Sequence, residues 1–219
     1  MSNQLVKVNK YSKKIKLLSV YSRIETNISI LVRPMVAKML ANVAEQLPNN
    51  LQLQVDGGYR TPNTQRILWN NRTKELGVNK AKDLVANPGS ETSGHLVGGA
   101  VDVSLLDLNG KEINLSEPFK RYYDEQKLYS KKITKRAQKL RLILYKAMLS
   151  AGFAPHDNEY WHFSYGDKRW ADFYNKKVIY KIIKNPNKYY YPLFTRIFIK
   201  ISRKTHQVIN KTFKIKTNY

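Results

Sequence analysis

The sequence predicts an α+β fold, with a small antiparallel sheet, helices packed on one face of the sheet and a cleft on the other face. Three short segments alternate apolar and polar residues, as half-buried strands do, while longer segments repeat apolar residues at helical spacing. Clusters of glycine, asparagine and proline separate the two kinds of segment. The 219 residues suffice for one well-buried domain and a modest extension.

The first predicted elements are a helix, a strand and a second helix. Pro34 suits a first helical turn, and apolar residues follow it at helical spacing as far as Leu47. Residues 51–55 alternate leucine or valine with glutamine and therefore predict a strand. After the turn-rich residues 56–59, Thr61 is expected to cap a helix that runs toward Gly77.

The second half of the chain continues this alternation. A glycine-rich stretch at residues 93–99 leads into a predicted strand at residues 100–105, and Asn109-Gly110 indicates a tight turn after it. A long basic helix is predicted at residues 133–150, with Gly152 just past its end. A third strand is expected at about residues 160–165. We find no internal repeat, so one main domain is expected.

Three regions are expected along the chain: an N-terminal arm at residues 1–26, a main domain at residues 27–172 and a C-terminal extension at residues 173–219. The extension contains twelve Lys or Arg residues and no Asp or Glu, and its apolar residues keep a loose helical period. Such a basic amphipathic segment suits an anionic polymer or a membrane surface as its partner. A helix that simply packs on the domain fits the same pattern.

The composition limits the classes of function. The chain has 39 Lys and Arg residues against 16 Asp and Glu residues, a net charge of +23 that attracts polyanions, although a general bias toward Lys, Asn and Ile explains the same excess. The lack of cysteine excludes disulfides, thiolate metal sites and a cysteine nucleophile. Because neither a signal peptide nor an apolar run of membrane-spanning length is evident, a cytoplasmic location is expected.

Two histidines and an aspartate predict a zinc site. A catalytic zinc ion is usually held by three His or carboxylate ligands, with a fourth position left for water. His95 lies in the glycine-rich stretch, and Asp102 lies between valines on a predicted strand, where a carboxylate is costly unless it is paired or bound to a metal. His162 lies on the third strand. Each residue alone has an ordinary structural explanation, and only their conjunction indicates a metal.

Glu159 is the candidate catalytic base. It precedes His162 by three residues, so on one extended strand the two side chains would face opposite sides. We therefore predict that Glu159 lies in the turn before the strand, where it can take a proton from water activated by the metal and return it to the leaving amine. The arrangement is not the helical one, because no His-Glu-x-x-His is present.

These residues also resemble a known family. The pattern Ser93-x-His95-x-x-Gly98-x-Ala100-x-Asp102, followed by Glu159-x-Trp161-His162, is similar to the paired signatures of the zinc D-alanyl-D-alanine dipeptidases and carboxypeptidases. That family includes the vancomycin-resistance dipeptidase, and its relatives include phage wall endopeptidases and the hedgehog domain. The likeness also covers residues 56–62 and 147–153, and it spans roughly residues 34–167.

The resemblance implies a role for each site residue. One zinc ion per chain would be bound by His95, Asp102 and His162, in the cleft opposite the helices, with Glu159 as general base and acid. Arg60 would stabilise the oxyanion of the tetrahedral intermediate, a role that suits a permanently charged guanidinium; without the resemblance, a surface arginine near a helix start is the alternative. Ser93 would help to hold the amino end of the substrate. From its position, Tyr21 is expected to line the same pocket.

One departure from the family pattern concerns the substrate. The dipeptidases have an acidic residue that binds the free ammonium group of D-Ala-D-Ala, whereas this chain has Lys120 at that point. Glu117, Asp124 or Glu125 could compensate. The sequence thus leaves two enzymatic hypotheses, a D-Ala-D-Ala dipeptidase and a wall-directed D,D-carboxypeptidase or endopeptidase that acts on peptidoglycan peptides.

A third hypothesis is a non-catalytic protein that binds polyanions, which the net charge favours. Nucleic acid would be the main target, but no recognised nucleic-acid motif or stacking platform is evident, so specific nucleic-acid binding is not expected. A complete set of metal ligands with a base would also serve no purpose in such a protein.

Overall fold

A five-stranded sheet forms the centre of the protein. The computed structural model describes residues 4–18, 30–82, 85–88, 93–119 and 125–183. The strands are β1 (Val6–Lys7), β2 (Ile15–Leu17), β3 (Leu31–Val32), β4 (Gln52–Gly57), β5 (Ala100–Leu106), β6 (Ala154–His156) and β7 (Glu159–Ser164). The helices are α1 (Pro34–Gln46), α2 (Pro62–Leu76), α3 (Val78–Ala81), α4 (Gly94–Val97), α5 (Lys135–Ser150) and α6 (Lys168–Phe173), and a 3-10 turn spans Val8–Lys10.

The sheet has the strand order β2-β4-β5-β7-β6, and β1 pairs with β3 in a separate two-stranded ribbon. The four strands from β4 to β6 are antiparallel to their neighbours, whereas the edge strand β2 runs parallel to β4. The α+β class is therefore confirmed, with one parallel edge strand added to the expected antiparallel sheet. A strand of three residues is too short to show an alternating pattern, so β2 left no signal in the sequence.

The core lies between the sheet and the two long helices, α1 and α5. Alternation along β4 and β5 turns Leu53, Val55, Val101, Val103 and Leu105 toward the helices, and all five are fully buried. They belong to the same buried cluster as the apolar stripes of α1 and α5, which include Val36, Leu40, Val43, Leu144 and Met148. Each buried side chain of this kind contributes about 1.5–3 kcal/mol. The polar residues of β4 and β5 are thereby turned to the other face of the sheet.

Caps determine where the helices begin. The Thr61 hydroxyl accepts a hydrogen bond from the Thr64 amide at 3.0 Å at the start of α2, and Thr134 does the same for Ala137 at 3.2 Å at the start of α5. Both caps satisfy backbone donors that the first helical turn leaves unpaired. The predicted helices at these positions, and the predicted turn at Asn109-Gly110, are confirmed.

Two buried arginines hold loops against the domain. Arg33 donates from Nε to the Val97 carbonyl at 2.7 Å and from Nη2 to the Lys181 carbonyl at 3.0 Å. Arg141 donates to the carbonyls of Leu115, Lys127 and Glu125 at 2.6–2.8 Å, and its guanidinium lies over the ring of Tyr160. Arg33 thus links the end of α4 to the segment after α6, and Arg141 satisfies three carbonyls of segments that have little secondary structure.

Both ends of the described chain contact the domain. In the segment expected to be an arm, Val8 and Ile15 are buried in the core and β2 joins the sheet. At the other end, the Ile179 and Tyr180 amides donate to the Gly166 carbonyl, and the Ile183 amide donates to Leu96. The remainder of the C-terminal extension lies outside the described residues, so its partner and the division into three regions stay predictions.

Among the helices that the structure describes, none has both the length and the apolar character needed to cross a membrane.

Candidate metal centre

The predicted metal ligands converge on the face of the sheet opposite α1 and α5. Asp102 on β5 and His162 on β7 are directly opposed in the antiparallel ladder. The Asp102 Oδ1 atom lies 3.1 Å from His162 Nδ1. Because Val101 and Val103 occupy the core face, alternation leaves Asp102 on the cleft side, as the sequence predicts.

His95 reaches the same point from α4, a single helical turn. Its Nε2 atom lies 3.4 Å from Asp102 Oδ2, and its Nδ1 atom lies 2.8 Å from the Gly58 carbonyl oxygen. A carbonyl oxygen only accepts, so Nδ1 carries the proton and Nε2 presents its lone pair to the site. Gly98, with φ of 72°, ends α4 and returns the chain to β5.

The three side chains form a donor set that can hold a metal ion. One ligand atom from each of His95, Asp102 and His162 can be chosen so that all lie within 4.8 Å of one another. Metal bonds of about 2.0–2.2 Å to nitrogen and oxygen in a tetrahedral site separate neighbouring ligand atoms by roughly 3.4 Å. Two observed separations lie near this value: His162 Nδ1 is 3.1 Å from Asp102 Oδ1, and His95 Nε2 is 3.4 Å from Asp102 Oδ2, the other oxygen of the same carboxylate.

The protonation states of Asp102 and His95 suit a metal. Burial opposes the ionisation of Asp102, but the adjacent His95 and His162 outweigh it and hold the pKa of Asp102 well below its usual value. Burial lowers the pKa of His95. An ionised carboxylate and a neutral imidazole are the forms that bind metals. For His162, by contrast, the effect of burial is outweighed by its hydrogen bond with Asp102 and by the charges of Asp102 and Glu159, so its pKa is raised.

Glu159 lies beside the ligands, but not where the sequence predicted it. Its Oε2 atom is 3.8 Å from His162 Nδ1, and burial raises the pKa of its carboxyl group to about 7. The prediction that Glu159 precedes the strand is wrong, since it is the first residue of β7. Its side chain still reaches His162 because the register is irregular, with Pro155 opposite Phe163 but His156 opposite Glu159, so strict alternation is lost.

Arg60 is a buried residue of the site. Its Nη2 atom lies 3.9 Å from Asp102 Oδ2, and its backbone amide donates to the His95 carbonyl at 3.1 Å. Only 10% of its side chain is exposed, so the alternative of a surface arginine is wrong. The guanidinium therefore places a permanent positive charge next to the three candidate ligands.

Gln65 is a site residue that sequence reasoning missed. It is fully buried on α2, and its Oε1 atom accepts a hydrogen bond from Arg60 Nη1 at 2.8 Å. Its amide nitrogen donates to the Ala86 carbonyl, so both ends of the side chain are engaged. The available signal was its position one helical turn after the cap residue Thr61, on the same side of the helix.

The predicted substrate-binding residues have different outcomes. Ser93 is buried and lines the cavity at the site, although its role stays a prediction. Tyr21, Lys120 and Asp124 lie outside the described residues. Of the other acids expected to compensate for Lys120, Glu117 accepts a hydrogen bond from Thr134 and Glu125 lies 3.9 Å from Lys132. Neither glutamate is among the residues that line the cavity.

The cavity over the site has a volume of about 860 Å³. Residues of α2 and of the segment after α3 contribute to its lining, as do β6 and α6. His156, another residue missed from the sequence, lines it with its ring 5.7 Å from the ring of His162. Its Nδ1 accepts a hydrogen bond from the Asn158 amide at 3.2 Å, and burial lowers its pKa to about 3. His156 is therefore a neutral ring beside the metal ligands.

Comparison with known proteins agrees with this geometry. A family model described as D-ala-D-ala dipeptidase (Peptidase_M15) matches residues 9–181. The chain is 34% identical over 94 residues to a D-alanyl-D-alanine dipeptidase of Synechocystis, covering 38% of each protein. It is 28% identical over 115 residues to a D-alanyl-D-alanine dipeptidase of Escherichia coli, covering 52% of this chain and 55% of that protein. The matches thus span between 38% and 55% of the length of these relatives.

Among solved structures, the chain resembles the vancomycin-resistance D,D-pentapeptidase VanY in complex with Zn(II). The identity is 18%, the TM-score is 0.46, and the match covers 69% of this chain and 82% of the other.

Proposed function

The chain belongs to the D-Ala-D-Ala dipeptidase family, Peptidase_M15, and on that premise we propose that it is a zinc metallopeptidase that hydrolyses D-Ala-D-Ala. The observation that carries the proposal is the convergence of His95, Asp102 and His162 with the carboxylate of Glu159 3.8 Å from His162. His95, Asp102 and His162 would bind one zinc ion per chain. When bound, zinc acidifies a water molecule and polarises a carbonyl group.

Glu159 acts as the general base and then as the general acid. It accepts a proton from the attacking water at its carboxylate and passes that proton to the nitrogen of the leaving amine as the C–N bond breaks. Burial raises the pKa of its carboxyl group, which favours return of the proton to the leaving amine.

Arg60 stabilises the negative charge that develops on the carbonyl oxygen of the substrate. The guanidinium keeps its charge at any working pH, and Gln65 fixes its orientation through the 2.8 Å hydrogen bond to Nη1. Ser93, on the cavity wall next to His95, holds the amino end of the substrate. The three side chains thus orient substrate and charge around the base.

A wall-directed D,D-carboxypeptidase or endopeptidase is the second candidate. Two observations favour it. The cavity of about 860 Å³ lies toward the upper end of the range of about 300–1,000 Å³ found for drug-sized ligands, which leaves room for more than a dipeptide. Of the three acids that could replace the missing acid at Lys120, Glu117 and Glu125 are engaged outside the cavity, and Asp124 lies outside the described residues. A longer peptide has an uncharged amide at that point and needs no such acid.

The test compares two substrates and one variant. Alanine release from free D-Ala-D-Ala is measured against release from a peptidoglycan peptide that ends in D-Ala-D-Ala. Glu159→Gln is expected to lower kcat by about 10²–10⁴-fold while the zinc content stays at one ion per chain. Turnover of the peptide alone would favour the second candidate. If the zinc-loaded wild type releases no alanine from either substrate and cleaves no internal bond of the peptide, the enzymatic proposal fails and polyanion binding becomes the better hypothesis.

A further inference from the structure

Arg169 lies at the cavity, on the first turn of α6. Asp167 caps this helix by accepting a hydrogen bond from the Trp170 amide at 2.9 Å. The Trp170 ring is buried and donates from Nε1 to the Gly152 carbonyl at 3.0 Å, which fixes the orientation of α6. Arg169, one position earlier, is exposed and lines the cavity. The helix therefore holds this arginine at the cavity while its side chain remains open to solvent.

The charge of Arg169 is not neutralised within the described part of the chain. Its natural partner on the helix, Asp172, is engaged by Lys168, whose Nζ atom lies 2.9 Å from both carboxylate oxygens. No hydrogen bond or ion pair in the described ranges involves the Arg169 guanidinium. The remaining positive charge at the cavity is thus available to a ligand.

Arg169 shares the cavity with the candidate catalytic residues. Glu159, Arg60 and the candidate ligand His162 line the same cavity as Arg169. Its volume of about 860 Å³ can admit a peptide whose scissile bond lies beside Glu159 and whose carboxylate reaches Arg169.

We propose that Arg169 is a specificity-determining residue that binds a carboxylate of the substrate. This proposal rests on the proposed peptidase function and adds that the preferred substrates are anionic peptides. A guanidinium binds a carboxylate through two parallel N–H···O bonds, which fixes the orientation of the bound group as well as its charge. Two carboxylates qualify, the C-terminal one and that of an acidic residue upstream of the scissile bond.

Three N-acetylated peptides ending in D-Ala-D-Ala distinguish these sources. The first has a glutamate upstream and a free C-terminus, the second has glutamine in place of that glutamate, and the third has a C-terminal amide. Arg169→Gln is expected to raise KM for the first peptide about five- to tenfold with little change in kcat. KM of Arg169→Lys for the first peptide should lie between the values for Arg169→Gln and the wild type. Lysine keeps the positive charge but lacks the two parallel N–H donors of the guanidinium. The peptide on which the effect disappears identifies the bound carboxylate.

Lys139→Gln provides the matched control, because it removes one exposed positive charge from α5, on the opposite side of the sheet. It should leave KM for all three peptides unchanged. An Arg169→Gln variant with wild-type KM on the first peptide, or with the same increase on all three peptides, would overturn the proposal. An equal increase of KM in Lys139→Gln would also overturn it, since that result would show that the effect comes from the net charge of the protein alone.

Binding measurements separate this proposal from the proposed function. In a Glu159→Gln background, calorimetric titration with the first peptide gives Kd without hydrolysis. Addition of Arg169→Gln should weaken this binding about five- to tenfold. If the wild type turns over none of the peptides, the peptidase proposal fails while the Kd comparison still decides the role of Arg169; an unchanged Kd would reject it.

Discussion

Asp102 and His162 face each other across β5 and β7, with Oδ1 of the first 3.1 Å from Nδ1 of the second. The two residues are 60 positions apart in the chain. Their separation is set by a backbone ladder rather than by loops, so these two ligands are preorganised before any metal binds. His95 completes the set from α4, where the Gly58 carbonyl orients its ring.

Loss of one ligand should abolish tight metal binding. His95→Ala is expected to reduce the metal content from about one ion per chain to none in folded protein, because two remaining ligands hold zinc weakly. Elemental analysis of purified protein, with circular dichroism as the check of folding, measures this outcome. His156→Ala is the matched control, since His156 contacts the ring of His162 but is outside the cluster, and it should keep its metal. Metal retained in folded His95→Ala protein would exclude His95 as a ligand.

Gln65 should matter for turnover rather than for metal binding. Gln65→Ala removes the acceptor that fixes Arg60 Nη1, so the guanidinium loses its defined position next to Asp102. We expect kcat/KM to fall about tenfold or more with unchanged zinc content, since one well-placed oxyanion donor is worth about 10²–10³ in rate. Gln65→Glu, which keeps an oxygen acceptor for Arg60, should retain more activity than the alanine variant. Wild-type kcat/KM in Gln65→Ala would show that Arg60 needs no such support.

Close packing at Gly94 should make this position intolerant of a side chain. A Cβ atom there would overlap the carboxylate of Asp167 and lie 2.8 Å from the Ala100 Cβ atom. Gly94→Ala is expected to lower the free energy of unfolding by about 1–3 kcal/mol, measured by urea denaturation. Asp167→Ser shortens the side chain but keeps an oxygen for the cap of α6. In a double-mutant cycle it should therefore recover part of the loss, and strictly additive effects would contradict the proposed overlap.

The buried carboxyl group of Asp56 should make stability depend on pH. Burial raises its pKa from 3.8 to about 7, with smaller opposing contributions from hydrogen bonds with Ser104 and Gln54. Between these two pKa values the folded state keeps a proton that the unfolded state releases, so the contribution of Asp56 to stability falls as pH rises from about 4 to 7. A shift of this size corresponds to at most about 4 kcal/mol.

Asp56→Asn isolates this contribution, because asparagine resembles the protonated carboxyl group at every pH. The variant should match the wild type in free energy of unfolding near pH 4 and exceed it near pH 8. Urea denaturation of both proteins across that range gives the difference between their free energies of unfolding. Groups that titrate in the same way in both proteins do not contribute to this difference. A difference that does not change with pH would show that Asp56 ionises in the folded protein as readily as in the unfolded one.

Local patterns predicted the elements that carry the site. The strands with Asp102 and His162 and the long helix α5 appear at the expected positions, because each depends on periodicity or capping among neighbouring residues. The turn expected at residues 56–59 is wrong, since β4 extends through Asp56 and Gly57. The valines beside Asp102 also indicated which way its side chain would point. What these patterns did not show was the strand pairing. The parallel strand β2 was missed, because its three residues form a strand only through their pairing with β4.

The position of Glu159 shows the same limit more sharply. Strict alternation along β7 would place the side chains of Glu159 and His162 on different faces of the sheet. The irregular register between β6 and β7 instead brings the Glu159 carboxylate to 3.8 Å from His162 Nδ1. An irregular register depends on how two strands pair, so the alternation rule for a single strand cannot predict it.

The sequence by itself determined which atoms are available: two imidazoles, a carboxylate between valines, a second carboxylate and a guanidinium, with no cysteine to compete. Only the tertiary structure decided their distances, because His95, Asp102 and His162 come from different elements that the sheet and Arg33 hold together. The roles of Gln65 and Arg169 arose there too. Gln65 acquires its proposed role because it orients Arg60. Arg169 acquires its proposed role because Lys168 engages Asp172, the aspartate three residues after Arg169. Such pairings depend on packing across the chain, which no local pattern specifies.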